Sequence, residues 1–217
     1  MNPQPSGIPK LILTERFSHA FDYARRLHTE TRKRTAVPYL AHLLGVASLV
    51  MGEHGYVDFP VTEDMVIAAL LHDAAEDHGG EKRLADITVH FGAGVARMVE
   101  GLSDSLVDEG APKAPWAERK YGYLQRLRDE PPQVKLISVA DKLYNARSLL
   151  ADFLVEGPSI WQRFQRTQED QLRYFRALLA EFERSGSNRL VREYARVLFE
   201  LESTLLRAAR PTSGAAE

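Results

Sequence analysis

An apolar run, Val66-Ile67-Ala68-Ala69-Leu70-Leu71, ends abruptly in His72 and Asp73, two side chains able to ligate a metal. His42 stands among apolar residues in Pro38-Tyr39-Leu40-Ala41-His42-Leu43-Leu44, and Asp141 directly follows Ile137-Ser138-Val139-Ala140. A buried, unpaired carboxylate is costly by several kcal/mol, so Asp141 needs a partner. That partner is a cation, the neighbouring Lys142 or an arginine elsewhere. Taken alone, His72-Asp73 also fits a helix end with a hydrogen-bonded imidazole and a solvated acid. The two further segments favour one N₂O₂ donor set of His42, His72, Asp73 and Asp141. Such a set suits Mn²⁺, Fe²⁺ or Zn²⁺ with positions left open for water. Water held that way becomes a nucleophile near neutral pH.

Glu76 and Asp77 extend the pattern. On a continuous helix Glu76 lies one turn after His72, and Asp77 one turn after Asp73. Carboxylates placed there can orient water or accept its proton. The other reading is a pair of solvating charges at a helix end.

The elements that must position these groups are helical nearly throughout. Thr14 is expected to cap a helix carrying Phe17, Phe21, Ala24 and Leu27, and Pro38 opens the next, which ends at Gly52 and Gly55. Thr62-Glu63-Asp64 starts a helix expected to run from Met65 to about Asp77 and to stop at Gly79-Gly80. Leu84 to Phe91 and Ala93 to Leu102 predict two shorter helices, and Ser103 to Pro115 the longest loop. Pro115 begins a helix to about Arg128, and Pro131-Pro132 launches Gln133 to about Val155. Ser159 is expected to cap one long helix with Trp161, Phe164, Leu172, Phe175 and Phe182 on its core or dimer face. Leu190 to Leu205 marks the last helix. No strand pattern is visible. The expectation is a single all-α domain over 13–207, with an arm at 1–12 and a frayed tail at 208–217.

Composition bounds the function. The chain has 217 residues, 28 Lys+Arg against 30 Asp+Glu, and no Cys. The near-neutral charge argues against a general nucleic-acid binder. Without Cys, a disulfide framework, a zinc–thiolate site and a cysteine nucleophile are excluded. No secretory signal or membrane-spanning run is expected, so the setting expected is the cytoplasm.

Four ordered blocks carry a family likeness: His28 with Arg32-Lys33-Arg34-Thr35-Ala36-Val37-Pro38-Tyr39-Leu40-Ala41-His42; Leu70-Leu71-His72-Asp73-Ala74-Ala75-Glu76-Asp77; Phe91-Gly92 through Gly101-Leu102-Ser103; and Val139-Ala140-Asp141-Lys142-Leu143-Tyr144-Asn145-Ala146-Arg147. Over roughly residues 14–155 the chain resembles the hydrolase domain of RelA/SpoT-type proteins, within the HD metal-dependent phosphohydrolases. The resemblance implies an HD-type helical bundle, with His42, His72, Asp73 and Asp141 as ligands of a divalent ion, typically Mn²⁺. It puts Glu76 and Asp77 on the catalytic acid pair and Lys33 and Arg34 beside the base and phosphates. Asn145 falls on a sugar contact, and Arg147 and Ser148 near the base pocket. The reaction implied is removal of pyrophosphate from the 3′ position of (p)ppGpp. With two helices after the matched region, the chain looks like a stand-alone small alarmone hydrolase.

The chain departs from the family at Ala36 (usually Gly), Leu43 (usually Pro), His78 (usually Thr) and Ser103-Asp104 (usually Thr-Lys). Ala36 and Leu43 are expected to touch the loop framing the base, so the adenine counterpart (p)ppApp stays open beside (p)ppGpp. A highly charged nucleotide bound to a chain of net charge −2 needs cations gathered locally. Lys33 and Arg34 offer one cluster. Lys113, Arg119 and Lys120 offer another around the Pro115 helix start, where free N–H groups favour anions. Trp116 and Tyr121 are expected in the core. The partners expected are the nucleotide, no nucleic acid, no membrane and a possible second copy of the chain. Two other readings remain: another HD phosphohydrolase, expected to lack the Glu76-Asp77 and Lys33-Arg34 pattern, and a non-enzymatic helical module, expected to have lost a ligand or an acid.

Overall fold

Residue choice at the helix starts explains the architecture of the computed structural model, which describes residues 9–208 except 109 and 165. Residues 1–8 of the arm expected at 1–12, and 209–217 of the tail expected at 208–217, lie outside the described residues. Thr14 caps α1 (Glu15–Leu27) by accepting from the Arg16 N–H at 3.2 Å. Pro38 sits at the N-cap of α2 (Tyr39–Gly52), where its missing N–H costs nothing. Thr62 caps α3 (Glu63–Leu71), and Glu63 and Asp64 complement the positive end of its dipole. There follow α4 (Ala74–Asp77), α5 (Gly80–Phe91), α6 (Ala93–Leu102), α7 (Trp116–Asp129), α8 (Pro132–Glu156), a 3₁₀ turn (Gly157–Arg163), α9 (Gln168–Arg184) and α10 (Arg189–Ala208). No described helix is long and apolar enough to cross a membrane.

Two helices form the axis. Met65 to Leu71 on α3 are each at most 1 % exposed. A helix apolar all round must be surrounded, and α1, α2, α6 and α8 surround this one. The 25-residue α8 packs on α2, α3, α6 and α10. The apolar stripe of α10, Leu190, Tyr194, Leu198, Leu201 and Leu205, is buried. His42 on α2, His72-Asp73 after α3 and Asp141 on α8 are thereby drawn towards one point.

The structure corrects several expected boundaries. The helix expected to run unbroken through Asp77 ends at Leu71, and a turn at His72-Asp73 separates it from α4. Asp73 has ψ −5°, flattened from the helical value, and the His72 ring bonds the Ala69 carbonyl at 2.9 Å. Gly79 and Gly80 do more than stop a helix. With φ of +112° and +57° they reverse the chain and start α5 four residues earlier than Leu84. A Cβ on Gly80 would collide with the Leu106 and Val107 carbonyls.

Ser159 does not cap the long helix, because its hydroxyl bonds the Glu156 carbonyl at 2.8 Å inside the 3₁₀ turn. Thr167 caps α9 instead, accepting from the Asp170 N–H at 3.1 Å. Phe175 and Phe182 are core, whereas Trp161 and Phe164 are only partly buried. Tyr121, expected in the core, is exposed. Among the described residues the only extended pairing is an isolated bridge between Thr31 and Pro38. It closes the basic loop, with the Arg32 N–H on the Val37 carbonyl at 2.8 Å.

α2 and α8 cross at close range because Gly45 has no side chain: a Cβ there would overlap the Tyr144 ring. Tyr144 in turn packs on His42, ring centroids 5.0 Å apart. Gly45→Ala is therefore expected to cost about 1–3 kcal/mol by overpacking. At about 2–4 °C per kcal/mol for this size, calorimetry should show a Tm several degrees lower. Gly52→Ala on the same helix, where a Cβ meets nothing within 4 Å, should leave Tm unchanged or raise it. Equal melting of both variants would contradict the close crossing.

Candidate active site

Four side-chain heads meet where α2, α8 and the α3–α4 turn converge. His42 Nε2 lies 3.2 Å from His72 Nε2. Asp73 Oδ2 lies 3.0 Å from His72 Nε2 and 3.5 Å from His42 Nε2. Asp141 Oδ1 lies 3.3 Å from His42 Nε2 and 3.7 Å from His72 Nε2. His72 Nδ1 donates to the Ala69 carbonyl, so its Nε2 is the atom turned to the cluster. Both imidazoles and Asp141 are buried.

The charges around this point are arranged for a cation. Burial raises the Asp73 carboxyl, but the charge on His72 and bonds from His42 and His72 outweigh it and hold Asp73 well below the usual carboxylate range. Asp141 is held low against its burial chiefly by Lys142. Burial lowers His72, yet Asp73 and Asp141 raise it well above an ordinary imidazole. A proton on His72 supplies positive charge that the two carboxylates beside it demand. His42, His72 and Asp73, with mutual spacings of 3.0–3.5 Å, fit a divalent ion in the same place, and Asp141 lies 3.3 Å from His42 as a fourth donor. Tyr39 braces it by donating to Asp73 Oδ2 at 2.5 Å, and Asn145 by donating to Asp141 Oδ1 at 2.6 Å.

The cluster opens into a polar cavity of about 200 Å³ that Glu76, Asp77 and Asp104 also line. Glu76 Oε2 accepts from the Asp104 N–H at 3.1 Å, and its Oε1 lies 3.6 Å from Lys113 and 3.7 Å from Arg119. Burial, then the Asp104 charge, push the Glu76 carboxyl up to about 7. Asp77 is raised by burial and by Asp73, and its Oδ1 meets Lys113 at 3.3 Å. Asp104, although buried, is held down to about 2, chiefly by Lys120, and it also pairs with Arg119.

A second cavity of about 320 Å³ adjoins the first, sharing Arg32, Lys120, Lys142, Asn145 and Tyr174 with it. Lys33, Ser148, Trp116 and Phe164 line its other sides. Of the cations expected beside the substrate, Lys33, Lys120, Arg119 and Lys113 thus reach the two cavities or their acids. Two residues do not. Arg34, at φ +56°, turns its guanidinium onto the Gln162 carbonyl. Arg147 points outward to Glu193 at 3.0 Å. Leu43 is core on α2 rather than part of the basic loop.

Arg32, to which the basic run alone assigns no role, bonds Asn145 at 2.9 Å and lines both cavities. Lys142 and Asp104 also belong to the site, through contacts that no local pattern signals. Tyr174 arrives from α9 with no local signal.

The raised Glu76 carboxyl has a measurable consequence. The folded chain holds this proton more tightly than an unfolded chain titrating near 4.5. The resulting stability is full below about pH 4.5 and lost as pH rises through 7. Glu76→Gln keeps an acceptor for the Asp104 N–H and removes the buried charge. Urea unfolding of the metal-free protein should show the variant more stable than the parent by about 1–3 kcal/mol at pH 8, and no more stable at pH 4.5. A gain of the same size at both pH values would contradict the assignment.

Comparison with known proteins agrees with this geometry. The HD-domain family model matches residues 20–179. Human guanosine-3′,5′-bis(diphosphate) 3′-pyrophosphohydrolase MESH1 is 39 % identical over 132 residues, 60 % of this chain and 67 % of that protein. A guanosine-3′,5′-bis(diphosphate) 3′-pyrophosphohydrolase of Aquifex aeolicus is 33 % identical over 135 residues, 62 % of this chain but 18 % of that longer protein. The structure of a metazoan ortholog of SpoT, described as hydrolysing ppGpp, superposes with a TM-score of 0.69 at 24 % identity, covering 90 % of this chain and 99 % of that one. A Listeria monocytogenes crystal structure superposes at 0.60 with 30 % identity, covering 77 % and 99 %. The chain belongs to the HD-domain family and is a MESH1-like member of it.

Proposed function

We propose that this protein is a metal-dependent 3′-pyrophosphohydrolase of alarmone nucleotides, acting in the cytoplasm on (p)ppGpp or its adenine counterpart. The observation that carries the reading is that Asp73 and Asp141 each come within 3.7 Å of both His42 and His72, in a cavity that Glu76 and Asp77 also line. The names of its MESH1 relatives point to the same bond. His42, His72, Asp73 and Asp141 would hold the ion, for which Mn²⁺ is proposed because two of the four donors are hard carboxylates. When bound, a divalent ion supplies Lewis-acid charge for phosphoryl oxygens and acidifies water.

The chain's own residues do the rest. Water adds to the phosphorus of the 3′-diphosphate, the bond to the ribose 3′-oxygen breaks, and GDP or GTP leaves with pyrophosphate. Glu76, with its carboxyl near 7, takes the water's proton at neutral pH and can return it to the 3′-oxygen. Asp104 and Arg119 hold Glu76 in place, and Lys113 neutralises charge beside Asp77. Arg32 and Lys33 give the 5′-phosphates their counter-charge, beside Lys120 and Lys142, which already neutralise Asp104 and Asp141, and Trp116 and Phe164 offer apolar faces to the base. Base choice falls to this second cavity, because the reacting group lies in the first.

Product analysis with added Mn²⁺ tests the reading. Pyrophosphate should be released from ppGpp or ppApp, and none from GTP or ATP. Hydrolysis of plain triphosphates alone would make the protein a different HD phosphohydrolase. Asp73→Asn should lose metal and turnover together while circular dichroism stays helical. Glu76→Gln should keep the metal and lose about 10²–10⁴-fold in kcat. Lys33→Ala should raise KM more than it lowers kcat, since such a contact binds ground and transition states alike, and Arg34→Ala should change KM less. Equal KM effects at the two positions would place the nucleotide elsewhere.

A further inference from the structure

Three more ligand atoms meet on the far side of Tyr39, outside the cleft. His28 Nδ1 lies 2.8 Å from Glu30 Oε1. His78 Nε2 lies 3.3 Å from His28 Nδ1 and 3.6 Å from Glu30 Oε1. The backbone fixes all three. His28 follows α1, its N–H on the Ala24 carbonyl at 2.8 Å. The Glu30 carbonyl accepts from the Tyr39 N–H at 3.0 Å. His78 follows α4, with its N–H on the Ala74 carbonyl at 3.0 Å and its own carbonyl accepting from Arg83 Nε at 2.9 Å. The site therefore exists before any ligand arrives.

Hydrogen bonding alone does not explain the trio. A proton joins two atoms, and here three converge. With the proton on His28 Nδ1 directed at Glu30, His78 Nε2 faces that pair with either a competing proton or an idle lone pair. A cation at the centre engages all three lone pairs at once. Ligands at about 2.0–2.1 Å from a tetrahedral ion stand about 3.3 Å apart. The two distances to His78 are already close to that, and the third needs to open by about half an ångström. The His28 side chain is 0 % exposed, while those of His78 and Glu30 are 23 % and 40 % exposed, so an ion can enter from that edge. The nearby Arg83 guanidinium is committed to Asp86 at 3.1 Å and to the Tyr23 hydroxyl.

We propose that His28 Nδ1, Glu30 Oε1 and His78 Nε2 form a second divalent-metal site, separate from the His42–Asp141 centre. Two imidazoles and one carboxylate favour a late, borderline ion of the zinc class over Mn²⁺, with the fourth position open to solvent. The site clamps the end of α1 to the end of α4, and its third ligand is the residue after Asp77. One aromatic ring separates the two centres. Tyr39 stacks on His28 at 5.1 Å and 12° on one side, and its hydroxyl reaches Asp73 on the other. His78 is also one of the positions at which this chain departs from the family pattern. The assignment rests on these three atoms and not on the reaction proposed above.

Cobalt(II) is the probe, since it follows zinc and absorbs visibly when four- or five-coordinate. The metal-stripped full chain is dialysed against Co²⁺ and its bound metal counted, with circular dichroism checking the fold. The parent should bind two equivalents. His78→Gln and Glu30→Gln should each bind one, or bind the second at least tenfold more weakly. His42→Ala should also bind one, and His42→Ala with His78→Gln none. One equivalent in the parent, lost with His78→Gln and kept with His42→Ala, upholds this site and overturns the His42 centre. One equivalent that survives both His78→Gln and Glu30→Gln overturns the proposal, as do two equivalents in both variants. Should His78→Gln lose its helical spectrum, Glu30→Gln, at a half-exposed side chain, decides.

Discussion

Two carboxylates, Asp141 buried and Asp73 partly so, lie within 3.7 Å of two buried imidazoles, and they require positive charge beside them. Much of the architecture serves that requirement. Asp141 lies midway along a buried helix, with Lys142 and Asn145 against it. His42 is set by the crossing that Gly45 permits. Consecutive residues on a helix project about 100° apart, so His72 and Asp73 could not aim at one point from a regular turn. The break after Leu71 brings the His72 ring and the Asp73 carboxylate to 3.0 Å.

The acids facing this cluster are governed by the same electrostatics with opposite outcomes. Glu76 and Asp104 share one region, and burial raises both. Lys120 and Arg119 lie directly on Asp104 and keep it ionised, while Glu76 meets its cations at longer range and stays near neutrality. Two carboxyl groups one hydrogen bond apart are thus assigned different protonation states by where two side chains of α7 come to rest.

The helices were legible in the sequence because caps and apolar spacing are local signals: Thr14, Thr62 and the Pro131-Pro132 pair each start an element where expected. The donor set was legible because a His or Asp ending an apolar run is conspicuous without any tertiary information. What escaped is non-local or depends on dihedral angles. The α3–α4 break lies inside a pattern that still reads as a helix. The reversal at Gly79-Gly80 looks like a simple stop. The basic run shows three cations, and only the tight closure between Thr31 and Pro38 decides that Arg32 faces the cleft while Arg34 faces the 3₁₀ turn. Arg147 lies on the α8 face toward α10, and its Glu193 partner is far along the chain.

The two adjoining cavities make the cleft a gauge of separation. The first compartment gathers Asp73, Glu76, Asp77, Asp104 and Asp141, and the second adds Lys33 to the Arg32, Lys120 and Lys142 that line both. Their shared wall of Asn145, Tyr174 and the Lys142 stem fixes the span between them. A ligand with a single charged end can fill one compartment and leaves the other empty. A ligand charged at both ends, at the right spacing, satisfies both. Selectivity of this kind comes from rigid distance between α8 and α9, so altering the packing behind that wall would change which molecules fit without touching any group that reacts.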